Sequence, residues 1–348
     1  MPRAHPSPFT LILLAFACGR DRAPATGAAA AAGTGAIYVS NEDSRDLTVI
    51  DAGTDSVIAT IAVGTRPRGV HVGPDGRVFV AVSGSPKCPP TMPDAECAKL
   101  VADRSKDGIA VVDIAGRRVE RMLPGGSDPE NFAVSADGSR LFVSNEDANA
   151  ATIVDVASGR VAATIPVGRE PEGVGVRPGS GEVWVTGETD HDITIFDGAS
   201  AKVTGHIVVD RRPRGVAFSP DGATAYVTAE VGGTLSIVDA SARRVTATIA
   251  FPAGAKPMGV VVAPDGSRVY VTTGRGGTLA VVDPAARQIV GTVPVGPRPW
   301  GVALSADGRR LYTANGPSGD VSVVDVATLR VVKRIPVGTM PWGVAVAR

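Results

Sequence analysis

The chain has 348 residues, with 35 Lys and Arg against 35 Asp and Glu, so its formal net charge is zero. That balance excludes a dedicated nucleic-acid binder and a polybasic membrane-surface protein, both of which carry a basic excess. A hydrophobic content of 44% excludes disorder over most of the length, while 42 Gly and 27 Pro beside only 3 Trp, 4 Tyr and 8 Phe point to many short strands joined by turns. Three cysteines do not make a disulfide-built scaffold.

Residues 9–17 (FTLILLAFA) form an apolar run. A bilayer span needs ~20 residues as a helix, so this run is too short to cross and has the length of a secretory-signal core. Ala15-Phe16-Ala17 fits the small-x-small rule for cleavage ahead of Cys18. Residues 1–17 are therefore expected to be a signal peptide that exports the protein. The segment resembles a bacterial lipoprotein signal, which implies that Cys18 is lipidated and tethers the protein to the envelope. Ala15 and Phe16 depart from that family's box, and release into the periplasm with an ordinary Cys18 is the alternative. Residues 18–35, small and polar, read as a flexible tether.

From residue 36 onward one phrase recurs: Pro-x-Gly-Val, an apolar strand, an Asp-Gly turn, a Tyr-Val-Thr-like strand, a strand closing on Asp, and a further apolar strand. It opens at Pro67, Pro129, Pro171, Pro213, Pro257, Pro299 and Pro341, at spacings of 62, 42, 42, 44, 42 and 42. The closing aspartates are Asp51, Asp113, Asp155, Asp197, Asp239, Asp283 and Asp325. In the phrase opening at Pro213 the predicted strands are Val216–Ser219, Thr224–Thr228, Leu235–Val238 and Arg244–Ile249, with Asp221-Gly222 as the tight turn. A period of ~40–45 residues with four strands per period marks a β-propeller. The expected fold is all-β, a seven-bladed propeller over residues 36–348 with an insertion at about 85–106. The last phrase stops after one strand, Gly343–Ala347, and the first ordered segment starts at a second strand, Ile37–Ser40, so the C-terminal strand is expected to complete the N-terminal blade. A monomer is expected.

Tyr38-Val39-Ser40-Asn41, Tyr226-Val227-Thr228 and Tyr270-Val271-Thr272-Thr273 resemble the YVTN β-propeller repeat, over all of residues 36–348 but the insertion. Ser127-Asp128-Pro129-Glu130, Asn145-Glu146-Asp147, Glu170-Pro171-Glu172-Gly173, Arg212-Pro213-Arg214 and Ala229–Thr234, with two Pro-Trp-Gly-Val phrases, are similar to the exported YVTN propellers associated with PQQ-dependent alcohol catabolism. That resemblance implies a periplasmic accessory protein and supplies no catalytic residues. Quinoprotein dehydrogenases have eight blades and Trp-bearing docking repeats. Here Trp184, Trp300 and Trp342 occupy non-equivalent phrase positions, so PQQ binding of that kind is not expected. WD40 proteins differ too, since Val-Asp or Phe-Asp closes the third strand here.

The loops before the first and after the second strand share one face of a propeller, and in this chain they are the variable ones. Around the phrase prolines stand Arg66 and Arg68, Asp128 and Glu130, Glu170 and Glu172, Arg212 and Arg214, Lys256 and Met258, Arg298 and Trp300, Met340 and Trp342. The loops after the second strand add Glu42, Asp43, Glu146, Asp147, Glu188, His191, Glu230 and Arg275. Charges and two tryptophans at a concave mouth suit a small polar ligand or a periplasmic protein partner, with Arg68, Glu130, Glu172, Arg214, Trp300, Trp342, His71 and His191 as candidate contacts. The alternative is a set of solvated charges pairing with one another, at ~0–1 kcal/mol each.

The insertion carries Cys88 and Cys97, expected to form a disulfide in an oxidising compartment, and it reads as a lid, a docking element or a tolerated surface loop. No His stands near this pair, which argues against zinc or c-type haem. His71 falls where the other phrases have Ala, Gly or Val, and His206 belongs to an outer strand. The Asn41-Glu42-Asp43 and Asn145-Glu146-Asp147 triplets lack the alternating carboxylates of a calcium loop. No catalytic residue, metal or cofactor is assigned. The leading function is a non-catalytic exported binder, accessory to quinoprotein alcohol oxidation if the resemblance holds. An enzyme of lactonase or lyase type, with Glu172 and His71 or His191 as acid and base, and a structural envelope protein are the alternatives.

Overall fold

The computed structural model describes residues 1–2, 35–87, 92–97 and 99–347. The chain divides into two units, residues 1–30 and 31–348, and of the first only Met1 and Pro2 are described. The expected signal peptide, Cys18 and Cys88 lie outside the described residues.

Seven four-stranded antiparallel sheets form a ring of blades. Blade 1 consists of Ala36–Asn41, Asp46–Asp51 and Ser56–Ala62, completed on its inner edge by the C-terminal strand Pro341–Val346. The closing ladder pairs Ile37 with Val346 and Val39 with Val344. Blades 2 to 7 follow in chain order over residues 70–123, 129–166, 171–208, 213–250, 260–294 and 299–336. The joint between the chain ends is thus an ordinary sheet ladder, which leaves no open edge at the seam.

The repeat landmarks have local physical roles. Each strand-closing aspartate accepts the backbone N–H three residues on, as Asp155 does from Ser158 at 2.7 Å and Asp325 from Thr328 at 2.8 Å. The same bond recurs at Asp51, Asp113, Asp197, Asp239 and Asp283. The side chain thereby fixes the turn into the fourth strand. In the Asp221-Gly222 turn, Gly222 adopts φ 68°, a left-handed conformation that costs glycine nothing.

The middle strands are sandwiched between neighbouring blades and buried on both faces, as in Thr234–Asp239, whereas the outer strand Arg244–Ala250 alternates exposed and covered residues. Trp184 is fully buried in such a seam, edge-on to Phe218 of the next blade with ring centroids 5.1 Å apart.

Five of the seven inner strands begin earlier than the sequence pattern suggests, at the phrase proline itself, while Val70–Val72 and Val260–Val262 begin three residues after it. In the phrase at Pro213 the strand runs Pro213–Phe218, with Pro213 opposite Ala229 and a bulge before Val216. An innermost strand is paired on one side only, so a proline can open it without leaving a ladder bond unmade.

The hydroxyl of the Tyr-Val-Thr motif staples one blade to the next. Ser144 Oγ donates to the Glu172 carbonyl at 2.7 Å, Thr186 Oγ1 to Arg214 at 3.3 Å, Thr228 Oγ1 to Met258 at 2.5 Å and Thr272 Oγ1 to Trp300 at 2.6 Å. Ser40 bonds the Arg68 carbonyl in the same way. Each accepting carbonyl belongs to the residue just after a phrase proline, so the staple positions the channel-mouth side chains. Thr228→Val should cost ~1 kcal/mol in urea unfolding, because the Met258 carbonyl loses its buried partner. An unchanged urea midpoint would mean that another donor replaces it.

Candidate functional site

The face carrying the variable loops holds two arginine-centred ion clusters. Arg68 bonds Glu130, and lies 3.3 Å from Glu42 and 3.7 Å from Glu146. Arg66 reaches Glu42 at 3.2 Å, and Lys87 of the insertion reaches Glu42 at 3.2 Å and Asp43 at 2.7 Å. Across the mouth Arg214 bonds Glu172 and Glu188 and lies 2.9 Å from Glu230. Arg212 adds contacts to Glu188 at 2.6 Å and Glu230 at 3.4 Å.

The central pairs are buried, whereas Arg212, Lys87 and Asp43 at the edges of the clusters are exposed. The Arg214 side chain is 11% exposed and Glu188 3%. Burial pushes the Glu188 carboxyl up to about 8 although Arg212 opposes it. The negative charges of Glu146 and Glu170 push the Glu188 carboxyl in the same direction as burial. Burial acts upward on Glu230 too, but Arg214 and Arg212 outweigh it and hold that carboxyl below its usual range. In the other cluster burial raises Asp128 and Glu146.

A second feature is aromatic. Trp300 and Trp342, on adjacent inner strands, stack with ring centroids 5.7 Å apart and planes tilted by 35°. The Arg298 guanidinium lies 4.8 Å from the Trp300 ring centroid and that of Arg214 6.0 Å.

Below the mouth lies a cavity of about 180 Å³ lined by His71, Asn131, Glu172, Arg214, Met258, Trp300 and Trp342 among others. Of the candidate contacts, Glu172, Arg214, Trp300, Trp342 and His71 meet around this one space. Arg68 and Glu130 belong to the neighbouring ion cluster and do not line it. His191 lies apart, in a hairpin turn at φ 57°, with its Nδ1 2.8 Å from the Glu188 carbonyl oxygen. His206 is on the outer strand Val203–Val208, as expected.

Asn131 escaped the sequence reading, although its signal was present. In the other six phrases the second residue after the proline is Gly. A Cβ on Gly173 would lie 2.0 Å from the Arg214 carbonyl oxygen, and one on Gly259 2.5 Å from that of Trp300. Blade 3 alone places a side chain there, and Asn131 Oδ1 meets His71 Nε2 at 3.0 Å. The two departures from the repeat therefore meet in space at the cavity wall.

The insertion straddles the rim. Arg66 donates to the Ser85 carbonyl at 2.8 Å, Arg104 bonds Asp147 of blade 3, and Lys87 reaches blade 1. Cys97 is half-buried and disulfide-bonded; Cys88, its expected partner, lies outside the described residues.

Asp128, Glu130 and Glu146 bring carboxylate oxygens within 4.8 Å of one another, a spacing that could hold a metal ion. Arg68 already pairs with Glu130 and Glu146, so a cation occupies that charge. The asparagines of the two acidic triplets turn into their own hairpins: Asn41 donates to Asp46 at 2.6 Å and Asn145 accepts from Thr152 at 2.6 Å.

The fold and site thus define a seven-bladed propeller with a small polar cavity at one mouth of its channel. The chain belongs to the SMP-30/gluconolactonase/LRE-like family, whose model matches residues 17–231. A second model, the cytochrome D1 heme domain, matches residues 223–346. No curated protein matches by sequence. Among solved structures, hydrazine synthase of Kuenenia stuttgartiensis is similar at TM-score 0.70 and 22% identity, over 83% of this chain and 92% of that one. A protein of Lactobacillus plantarum is similar at TM-score 0.74 and 13% identity, over 90% and 99%. A protein of Bacteroides uniformis provisionally assigned as a 6-phosphogluconolactonase is similar at TM-score 0.70 and 16% identity, over 90% and 100%. At these identities the likeness is one of fold.

A haem, named in the second model's description, finds no matching set of groups among the described residues of this channel. The mouth cavity of about 180 Å³ is below the ~300 Å³ at which pockets for drug-sized ligands begin. Among the described residues, the wider cavity at the opposite mouth is lined by no Lys or Arg to meet haem propionates, and the histidine lining it, His71, is engaged with Asn131.

Proposed function

We propose that the protein is an exported propeller that binds a small polar ligand in the mouth cavity without transforming it. The observation that carries this reading is the convergence of Glu172, Arg214, His71, Asn131 and two stacked tryptophans on one space of about 180 Å³. The aromatic faces offer apolar area, and the fixed polar groups orient the ligand. Because Arg214 is locked by three carboxylates, its position is set before any ligand arrives.

Calorimetry with a panel of sugars, sugar acids and polyols tests the reading. Trp342→Ala should weaken the best binder at least ~10-fold, the equivalent of 1.4 kcal/mol of stacking. Unchanged affinity in that variant would remove the cavity from consideration.

A second reading, a lactonase, has a specific observation behind it. Glu172 and His71, the expected acid and base, line the same cavity, and the family's name includes gluconolactonase. Proton release on aldonolactones separates the two. Turnover above buffer that disappears in Glu172→Gln would replace the binding reading with the catalytic one.

Export is supported by the apolar run before Cys18 and by the disulfide at Cys97, a bond favoured outside the reducing cytosol. A role beside quinoprotein alcohol oxidation is supported by the phrase resemblance, and co-purification with a periplasmic quinoprotein dehydrogenase would test it. The propeller's first strand begins beside Ala347 at the opposite mouth, where Ala347 N–H donates to the Ala36 carbonyl at 2.8 Å.

A further inference from the structure

The charges of the mouth are divided unevenly around the ring. In blades 1 to 5 the arginines at the phrase prolines, Arg66, Arg68, Arg212 and Arg214, are all neutralised by carboxylates. In blades 6 and 7 the corresponding positions carry Lys256 and Arg298, and the loop after the second strand of blade 6 carries Arg275. None of these three takes an ion pair among the described residues, although every other cationic position before or after a phrase proline does.

Two further observations place this basic sector against the ligand cavity. Arg298 lies over Trp300, 4.8 Å from its centroid, and Trp300 lines the cavity with Trp342. Arg214, itself on the cavity wall, approaches the same indole at 6.0 Å. Two guanidinium groups thus converge on one ring. Burial lowers the proton affinity of Arg298, and the charges of Arg275 and Arg214 lower it further, against the smaller opposing influence of Glu230 and Glu42. Like charges gathered near a low-dielectric surface repel one another, and an anion placed among them relieves that cost. Indole faces beside guanidinium groups offer a stacking surface with anion donors at its edge.

We propose that the ligand of this cavity is a small acid, with its ring or flat face against Trp300 and Trp342 and its carboxylate or phosphate held by Arg298, with Arg275 and Lys256 adding charge from the rim. The proposal rests on the binding reading above and specifies the ligand's charge. The cavity of about 180 Å³ is below the ~300 Å³ at which pockets for drug-sized ligands begin, which suits a compact acid.

The test uses matched probes in calorimetry and tryptophan fluorescence at low ionic strength: gluconate against glucose, glucose 6-phosphate against glucose, and benzoate against benzamide. The acidic member of at least one pair should bind at least ~10-fold more tightly than its neutral partner, quench the tryptophan emission, and lose this advantage as added salt shortens the screening length. Which pair shows the preference distinguishes a carboxylate from a phosphate. In Arg298→Gln/Arg275→Gln the preference should fall to within ~3-fold, less than 1.4 kcal/mol, with a cooperative thermal transition showing that the variant is folded. Neutral members binding as well as acids would overturn the acid assignment and leave the binding site standing. Binding of neither member of any pair would overturn both. A preference for acids that survives the double substitution would move the anion site away from Arg298.

Discussion

Arg214→Met should destabilise the protein by about 3–5 kcal/mol near neutral pH, the cost of leaving buried charges without their partner. Glu172, Glu188 and Glu230 all converge on this guanidinium, and Arg212 alone cannot serve them. The effect should depend on pH in a defined direction. Glu188 titrates at about 8 in the folded protein against an ordinary 4.5. A carboxyl raised in this way contributes stability that is complete below about 4.5 and is lost as the pH rises through about 8. Glu230 behaves oppositely in the wild type, because Arg214 and Arg212 hold it below its usual range against the effect of burial. Removing Arg214 takes away the main influence that favours its ionised form. The variant should therefore lose stability more steeply than wild type over the interval from about 4.5 to about 8, and the penalty should shrink at the acidic end. Urea unfolding at the two ends of that interval measures both effects. An equal penalty at each end would mean that the carboxylates do not lean on Arg214.

Gly173→Ala should be nearly as damaging, for a steric reason. The added Cβ would lie 2.0 Å from the Arg214 carbonyl oxygen and 3.1 Å from Thr186 Oγ1. Both atoms belong to the staple between blades 4 and 5, in which Thr186 donates to that carbonyl at 3.3 Å. The obstacle is backbone, so the inner strand of blade 5 must move and take Arg214 with it. Overpacking of this kind costs about 3 kcal/mol, and at 2–4 °C per kcal/mol the thermal midpoint should fall by roughly 6–12 °C. Ligand affinity should fall as well. Gly179→Ala provides the contrast. Gly179 has φ 74° with nothing within 4 Å of the added atom, so only backbone strain of ~1 kcal/mol applies. Equal midpoints for the two variants would contradict the close approach of the inner strands.

Much of this architecture could be read from the sequence because a repeat protein states its local rules several times. The closing aspartates recur because each must hold the same turn, as Asp155 and Asp325 do. The Asp-Gly pairs recur because a glycine at left-handed φ is the least costly residue there, as at Gly222. The unfinished last phrase predicted the closing strand, and Pro341–Val346 pairs with Ala36–Asn41. The face with the variable loops was also legible, and the two ion clusters and the small cavity lie on it.

What the sequence by itself determined is the number of blades, the closure of the ring and the list of unusual side chains at the mouth, all of which follow from spacing and local turn chemistry. Only the tertiary structure decided which of those side chains meet. It gathered Glu172, Glu188 and Glu230 on Arg214, separated Arg68 and Glu130 from the cavity, set His191 in a turn and joined His71 to Asn131. Partners in these contacts come from different blades, tens of residues apart in the chain. Their distances are set by how closely the inner strands approach around the channel, and residue spacing along one blade carries no information about that.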